Sequence, residues 1–190
     1  MLLLFLGLFL FTIYQVWHYF NIRPINPSQI YYKDSFGNIY RDATSYSCFD
    51  ICFVKTFEKL SVDKNTFTVL MTNSPYRTGS TYAMDKTQVF YLGKQVIGAD
   101  PSTFKAVGYN LGKDKNQYFY CKKPLHLYIT EEIDQTYKFT PESLEVISYN
   151  LSGNLVLKVN SHYYVVELGS RPFTIEEITS ASVSKYPELQ

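Results

Sequence analysis

Charge and composition narrow the field first. Eighteen lysines and arginines against 17 acidic residues leave this 190-residue chain near neutrality, so no long-range field favours nucleic acid or an acidic polymer. Eighteen tyrosines and 14 phenylalanines, with nine glycines and eight prolines, exclude a disordered chain and lean towards β structure.

Residues 1–20 open as Met1-Leu-Leu-Leu-Phe-Leu-Gly-Leu-Phe-Leu-Phe-Thr-Ile-Tyr14 and run on through Gln15-Val-Trp-His-Tyr-Phe20. A helix of ~20 residues rising ~1.5 Å each spans a ~30 Å hydrocarbon core, so the run predicts one transmembrane helix. Trp17, Tyr19 and Phe20 would form an aromatic belt at its polar end. The run has neither a basic start nor a small-residue cleavage site, and no lipid-acceptor cysteine follows it. An uncleaved anchor is therefore expected. The alternatives are a signal peptide whose basic start is missing and a buried core helix. Arg23, Lys33 and Arg41 follow the helix and no basic residue precedes it, so a strict charge count puts the following domain in the cytoplasm.

Residues 21–29 carry Pro24 and Pro27 and read as a linker, because two prolines in four residues cannot continue a helix. The remaining chain, about 165 residues, is the size of one domain able to bury a core. Residues 30–180 read as its all-β body, and residues 181–190 as a frayed tail. Its strongest strand cores are Val89-Phe-Tyr91, Tyr118-Phe-Tyr120 and Tyr163-Tyr-Val-Val166. Each follows a turn-forming polar cluster: Asp85-Lys-Thr-Gln88, Asp114-Lys-Asn-Gln117 and Asn160-Ser-His162. Asp100-Pro101 and Thr140-Pro141 read as a cap followed by proline at the first position of a short helical turn, leading into the next strand.

The text also repeats. Pro101-Ser-Thr-Phe-Lys-Ala-Val-Gly-Tyr-Asn-Leu111 returns forty residues later as Pro141-Glu-Ser-Leu-Glu-Val-Ile-Ser-Tyr-Asn-Leu151, with four identities and five like-for-like matches. A period of this size marks a stacked supersecondary unit. The unit is Pro-x-Thr/Ser-apolar, a strand into Tyr-Asn-Leu, a turn at Asp-Lys-Asn, and an aromatic return strand. Upstream, Thr56-Phe57 with Asp63-Lys-Asn-Thr-Phe67 reads as a shortened copy and Tyr32-Lys-Asp-Ser-Phe-Gly-Asn-Ile-Tyr40 as a degenerate first one. A partial last copy begins at Arg171-Pro-Phe-Thr-Ile-Glu-Glu177. The expectation is three to five tandem β-hairpin or meander repeats behind the helix.

Chemistry is thinly represented. Cys48 and Cys52, four apart on a strand, would stand ~13 Å from each other, too far for a bridge without a turn. Either could pair with Cys121 in an oxidising compartment, and burial of all three as small apolar thiols is the plainer reading. A zinc site would need more than Cys121 and His126. Calcium wants six to eight oxygens, more than one Asp-Lys-Asn turn offers. No metalloprotease helix, nucleophile elbow or phosphate loop occurs. Glu131-Glu132 and Glu176-Glu177, read on strands, point to opposite faces. The chain is therefore expected to be no enzyme and to need no cofactor or metal. Candidate binding residues are the surplus rings Tyr91, Tyr120, Tyr163 and Tyr164. Each is either packed against a neighbouring repeat or presented to a protein or glycan.

Tyr82-Ala-Met-Asp-Lys-Thr-Gln-Val-Phe-Tyr-Leu-Gly-Lys-Gln-Val-Ile-Gly-Ala-Asp-Pro-Ser-Thr-Phe-Lys-Ala-Val107, followed by Lys113-Asp-Lys-Asn-Gln-Tyr-Phe-Tyr120, resembles the DKNYY family of bacterial proteins. The likeness is best over residues 81–125. It implies an envelope-associated repeat protein of β hairpins and brings no catalytic residues. It also implies a domain outside the cytoplasm, against the charge count. Two functions fit: a membrane-anchored envelope module binding a protein or glycan without catalysis, or an immunity-type protein neutralising one toxin.

Overall fold

The computed structural model describes residues 2–25, 30–43, 56–72, 81–108, 110–149, 154–168 and 173–179. Pro27, Cys48, Cys52, Tyr109, Asn150-Leu151, Arg171-Pro172 and the tail lie outside them. Helix α1 covers Leu2–Phe20. Behind it come four antiparallel sheets of four strands, each a simple meander in chain order. The first holds β1 (Arg23–Pro24), β2 (Tyr31–Lys33), β3 (Ile39–Asp42) and β4 (Phe57–Lys59). The second holds β5 (Thr68–Val69), β6 (Tyr82–Met84), β7 (Val89–Tyr91) and β8 (Lys94–Gln95). In the third are β9 (Lys105–Ala106), β10 (Leu111–Lys113), β11 (Tyr118–Tyr120) and β12 (Lys123–Pro124). Six-residue strands β13 (Leu144–Tyr149), β14 (Asn154–Val159) and β15 (His162–Glu167) with β16 (Thr174–Glu177) make the last.

The expected hairpins are present at the centre of three sheets. Tyr82 pairs with Tyr91 across the Asp85–Gln88 turn, Leu111 with Tyr120 across Asp114–Gln117, and Val159 with His162 across Asn160-Ser161. Asn160 takes φ +56°, the left-handed conformation that a two-residue hairpin demands and asparagine tolerates. Arg23 and Pro24, in the stretch read as linker, pair with Lys33 and Tyr32 as an edge strand, where a proline without an N–H does no harm.

The core is divided between the sheets. Tyr31, Ile39, Leu60 and Ala83 cluster between the first and second. Tyr82, Val89, Val96, Phe104 and Phe119 fill the space between the second and third. Leu111, Tyr120, Leu125, Leu144, Leu155, Leu157 and Val166 belong to the largest cluster, between the third and fourth. Consecutive residues of one strand therefore face two clusters: Ala83 one way and Tyr82 the other, Phe119 one way and Tyr120 the other. Rings on both faces of a strand are what a sheet sandwiched in a stack requires.

The structure departs from the sequence reading at the Asp63 turn, in the all-β body and at the Glu131-Glu132 pair. Asp63-Lys-Asn65 is not a hairpin turn within a sheet: it joins β4 of the first sheet to β5 of the second, just as Asp100–Thr103 joins β8 to β9. The body is not wholly β, because α2 (Leu125–Tyr128) runs into a π-helical turn over Ile129–Ile133. Leu125 and Ile129, four apart and buried, hold it to the core. Glu131 and Glu132 therefore do not sit on a strand, and both engage Lys123, at 2.7 and 2.9 Å. Among the described residues no helix is long and apolar enough to cross a membrane.

Candidate functional site

The Asp turns are built alike. Asp85 Oδ1 accepts from the Thr87 and Gln88 amides, both at 2.8 Å. Asp114 Oδ1 accepts from Asn116 and Gln117 at 2.8 and 2.9 Å. Asp34 accepts from the Phe36 and Asn38 amides, the Asn38 side chain and the Tyr40 hydroxyl. Burial alone would raise the Asp34 pKa, but these donors outweigh it and hold the carboxyl at about 2. All three aspartates are buried, as turn-locking groups spent on backbone donors.

A second Asp turn clamps each of two hairpins. The Asp63 amide donates to Asp85 Oδ2 at 3.0 Å and the Asp100 amide to Asp114 Oδ2 at 2.9 Å. Thr66 Oγ1 accepts from the Lys86 amide, Thr103 Oγ1 from the Lys115 amide. Lys86 Nζ then meets Asp63 at 3.0 Å, and Lys115 Nζ meets Asp100 at 3.1 Å. The signal was in the sequence as Asp-x-x-Thr-Phe, written at Asp63–Phe67 and again at Asp100–Phe104. The lysine of the Asp-Lys pair is thus one half of an inter-sheet latch.

Tyrosine hydroxyls join the sheets on the other edge. Tyr31 is fully buried, donates to the Thr81 carbonyl at 3.0 Å and accepts from the Gly93 amide at 3.0 Å. Tyr82, also fully buried, lies 2.8 Å from the carbonyl oxygens of both Asn110 and Cys121. Each ring starts the second strand of its sheet and plugs into the backbone that frames the next sheet. Burial pushes both phenols far up.

The four predicted tyrosines divide. Tyr91 donates to Asn110 Oδ1 at 2.9 Å, and Tyr120, in the next sheet, lies beside the same Asn110 side chain, with burial raising its pKa. Asn110 thus gathers Tyr82, Tyr91 and Tyr120 at one joint. Tyr120 is buried and Tyr91 half-buried, so neither is an open binding ring. Tyr164 packs against Tyr137 and Phe139, with centroids 5.7 and 5.3 Å away. Tyr163 is half-buried on the opposite face of the last sheet. The four do not converge.

The remaining titratable groups are dispersed. Burial pushes the Cys121 thiol up and the His126 imidazole down. His162 Nδ1 faces Glu177 Oε1 at 2.6 Å on the surface. Among the described residues no group of three or more His, Cys, Asp or Glu side chains is placed to hold a metal ion.

The feature that sets this molecule apart from a closed domain is α1. Leu6, Leu8, Phe9, Leu10, Phe11, Ile13, Tyr14, Val16 and Trp17 are each 48–63% exposed. Four of them are consecutive, Leu8 to Phe11, and at 100° per residue they leave no side of the helix covered. Its C-terminal end meets the first sheet: Trp17 lies edge-on to Phe36, centroids 6.1 Å apart. Tyr40, whose pKa burial and the Asp34 hydrogen bond push up to about 12, also feels Tyr14. The Asn21 side chain donates to the Trp17 carbonyl at 2.7 Å, occupying a C-terminal acceptor of the helix.

No curated protein and no solved structure matches the chain. The model of the DKNYY family matches residues 12–123, more than half of the 190. That stretch runs from the second half of α1 through the first three sheets, and includes all three buried turn aspartates, both latches and both tyrosine plugs. On that match the chain belongs to the DKNYY family.

Proposed function

We propose that the protein is a non-catalytic component of the bacterial envelope. It is held in the membrane by α1 as a single pass, with its stack of sheets outside the cytoplasm as a module that binds a protein or glycan. The observation that carries this reading is the apolar surface of α1, whose described large apolar side chains from Leu6 to Trp17 are all about half exposed or more. No helix among the described residues is by itself a full apolar span, but the 19 residues of α1 rise ~28 Å against a ~30 Å hydrocarbon core, and an uncovered apolar helix is stable in lipid rather than in water. The polar groups that catalysis would draw on are already occupied. The buried carboxylates serve turns, Lys86, Lys115 and Lys123 serve ion pairs, and the buried tyrosines serve joints between sheets.

With Tyr120 buried and Tyr91 committed to Asn110, these two rings do not form an open binding face. Near-neutral net charge argues against nucleic acid as the partner. The test is quantitative affinity capture from gently crosslinked cells, comparing the full chain with a variant lacking residues 1–20. One dominant stoichiometric partner, or one glycan fraction, retained by both supports a binding module. Recovery of general envelope material alone, lost with the helix, overturns it.

A further inference from the structure

Where the apolar helix ends, the first sheet gathers positive charge around an exposed ring. Phe36 stands at the tip of the β2–β3 turn, 51% exposed, against Trp17. Lys64 reaches back from the turn that joins the first two sheets, and its Nζ donates to the Phe36 carbonyl at 3.1 Å. The stems of Lys64 and Lys33 flank Gly37, 3.5 and 3.6 Å from where a Cβ would stand. Arg23 is the cross-strand partner of Lys33, and both are exposed. Nearby carboxylates are committed elsewhere: Asp34 to its own turn, Asp63 to Lys86. The ion pairs among the described residues engage Arg41, Lys86, Lys115, Lys123 and His162, not these three cations.

We propose that this foot is a second membrane contact: Arg23, Lys33 and Lys64 bind the anionic headgroups of phospholipids while Phe36 enters the headgroup layer beside Trp17. The inference rests on the membrane-anchor reading. Its physical basis is continuity and charge. Basic residues next to a membrane helix are attracted to anionic headgroups, and aromatic rings favour the boundary between headgroups and acyl chains. Here the helix end, the ring and the three cations meet where the β1–β2 edge and β2–β3 turn of the first sheet adjoin the turn that leads to the second. The contact lays that sheet on the bilayer and sets the direction in which the other three stack away from it.

The test uses the full chain reconstituted in phosphatidylcholine vesicles with and without phosphatidylglycerol. Acetylation of individual lysines is followed by mass spectrometry. Lys33 and Lys64 should react on the order of fivefold more slowly when phosphatidylglycerol is present, the factor one basic residue's attraction to an anionic surface corresponds to. High salt should abolish the protection. Lys94 and Lys105, in the second and third sheets, should react alike in both vesicles. Arg23→Gln, an exposed substitution that leaves the fold intact, should weaken protection at Lys33 and Lys64. Equal rates in the two vesicles, or protection shared by Lys94 and Lys105, overturn the proposal. Alkaline carbonate extraction separates the two ideas. Protein released by carbonate refutes the anchor itself, while protein retained with Lys33 and Lys64 unprotected refutes only the headgroup contact.

Discussion

Tyr82→Phe removes one oxygen from the joint between the second and third sheets. Its hydroxyl is 2.8 Å from two carbonyls. Asn110 O keeps a partner in the Cys121 amide at 2.7 Å, so the variant strands the Cys121 carbonyl and loses one shared hydrogen bond. A lost buried hydrogen bond is worth about 0.5–1.5 kcal/mol, and a stranded buried acceptor raises that towards 1–3. The ring stays, so no cavity opens, and the expected loss is about 1–2 kcal/mol. For a chain of this length each kcal/mol moves the melting temperature by about 2–4 °C. Tyr163→Phe, on the opposite face of the last sheet from the core, is the control and should stay within ~0.5 kcal/mol. Both are measured by urea unfolding of the full chain in detergent micelles, followed by far-ultraviolet circular dichroism. A Tyr82→Phe protein as stable as the parent, or a Tyr163→Phe protein equally weakened, would refute the tyrosine joint.

Asp34 makes stability acid-sensitive. Its folded pKa, about 2, lies below the ordinary 3.8, so its contribution is complete above pH 4 and is lost as pH falls through 2. Asp34→Asn should be destabilised at neutral pH, since an amide nitrogen cannot accept from Tyr40 or Asn38, and should lose less stability than the parent between pH 4 and 2. Gly112→Ala should cost about 1–3 kcal/mol by overpacking, because the new methyl meets the Phe104 ring that covers this glycine; thermal denaturation reads it. Thr103→Val, which removes the acceptor of the Lys115 amide, should cost about 1 kcal/mol. Thr66→Val should do the same at the equivalent latch, and an unchanged melting temperature in either would break the equivalence of the two.

The hairpins were legible because Asp85 and Asp114 carry their turns in their own side chains and Asn160 tolerates the left-handed backbone its turn demands, local causes that need no tertiary knowledge. The stack was legible from the repeat. Asp63 misled because Asp-Lys-Asn reads identically whether it returns a strand to its own sheet or carries the chain to the next. Here β4 already pairs with β3, and only that pairing decides. The helical turn after Pro124 had a signal in the spacing of Leu125 and Ile129, outweighed by a β-rich context. Tyr91 and Tyr120 could not be told from exposed rings, because alternation predicts one wet face and a stacked sheet has none. Asn110, around which they meet, carries no motif. The cationic foot joins Arg23 and Lys33 of the first sheet to Lys64 of the turn that leaves it, across about forty residues, a proximity that only strand register and the turn between sheets create.

Trp17 is the only tryptophan in the chain, at the end of the helix on which the functional reading depends. Its fluorescence in vesicles containing brominated phospholipids is therefore a single-site report of depth. With α1 in the bilayer, the emission should be blue-shifted, strongly quenched by lipids brominated near the headgroup and little affected by aqueous acrylamide. Emission quenched by acrylamide and indifferent to every brominated lipid would put Trp17 in water and contradict the membrane anchor.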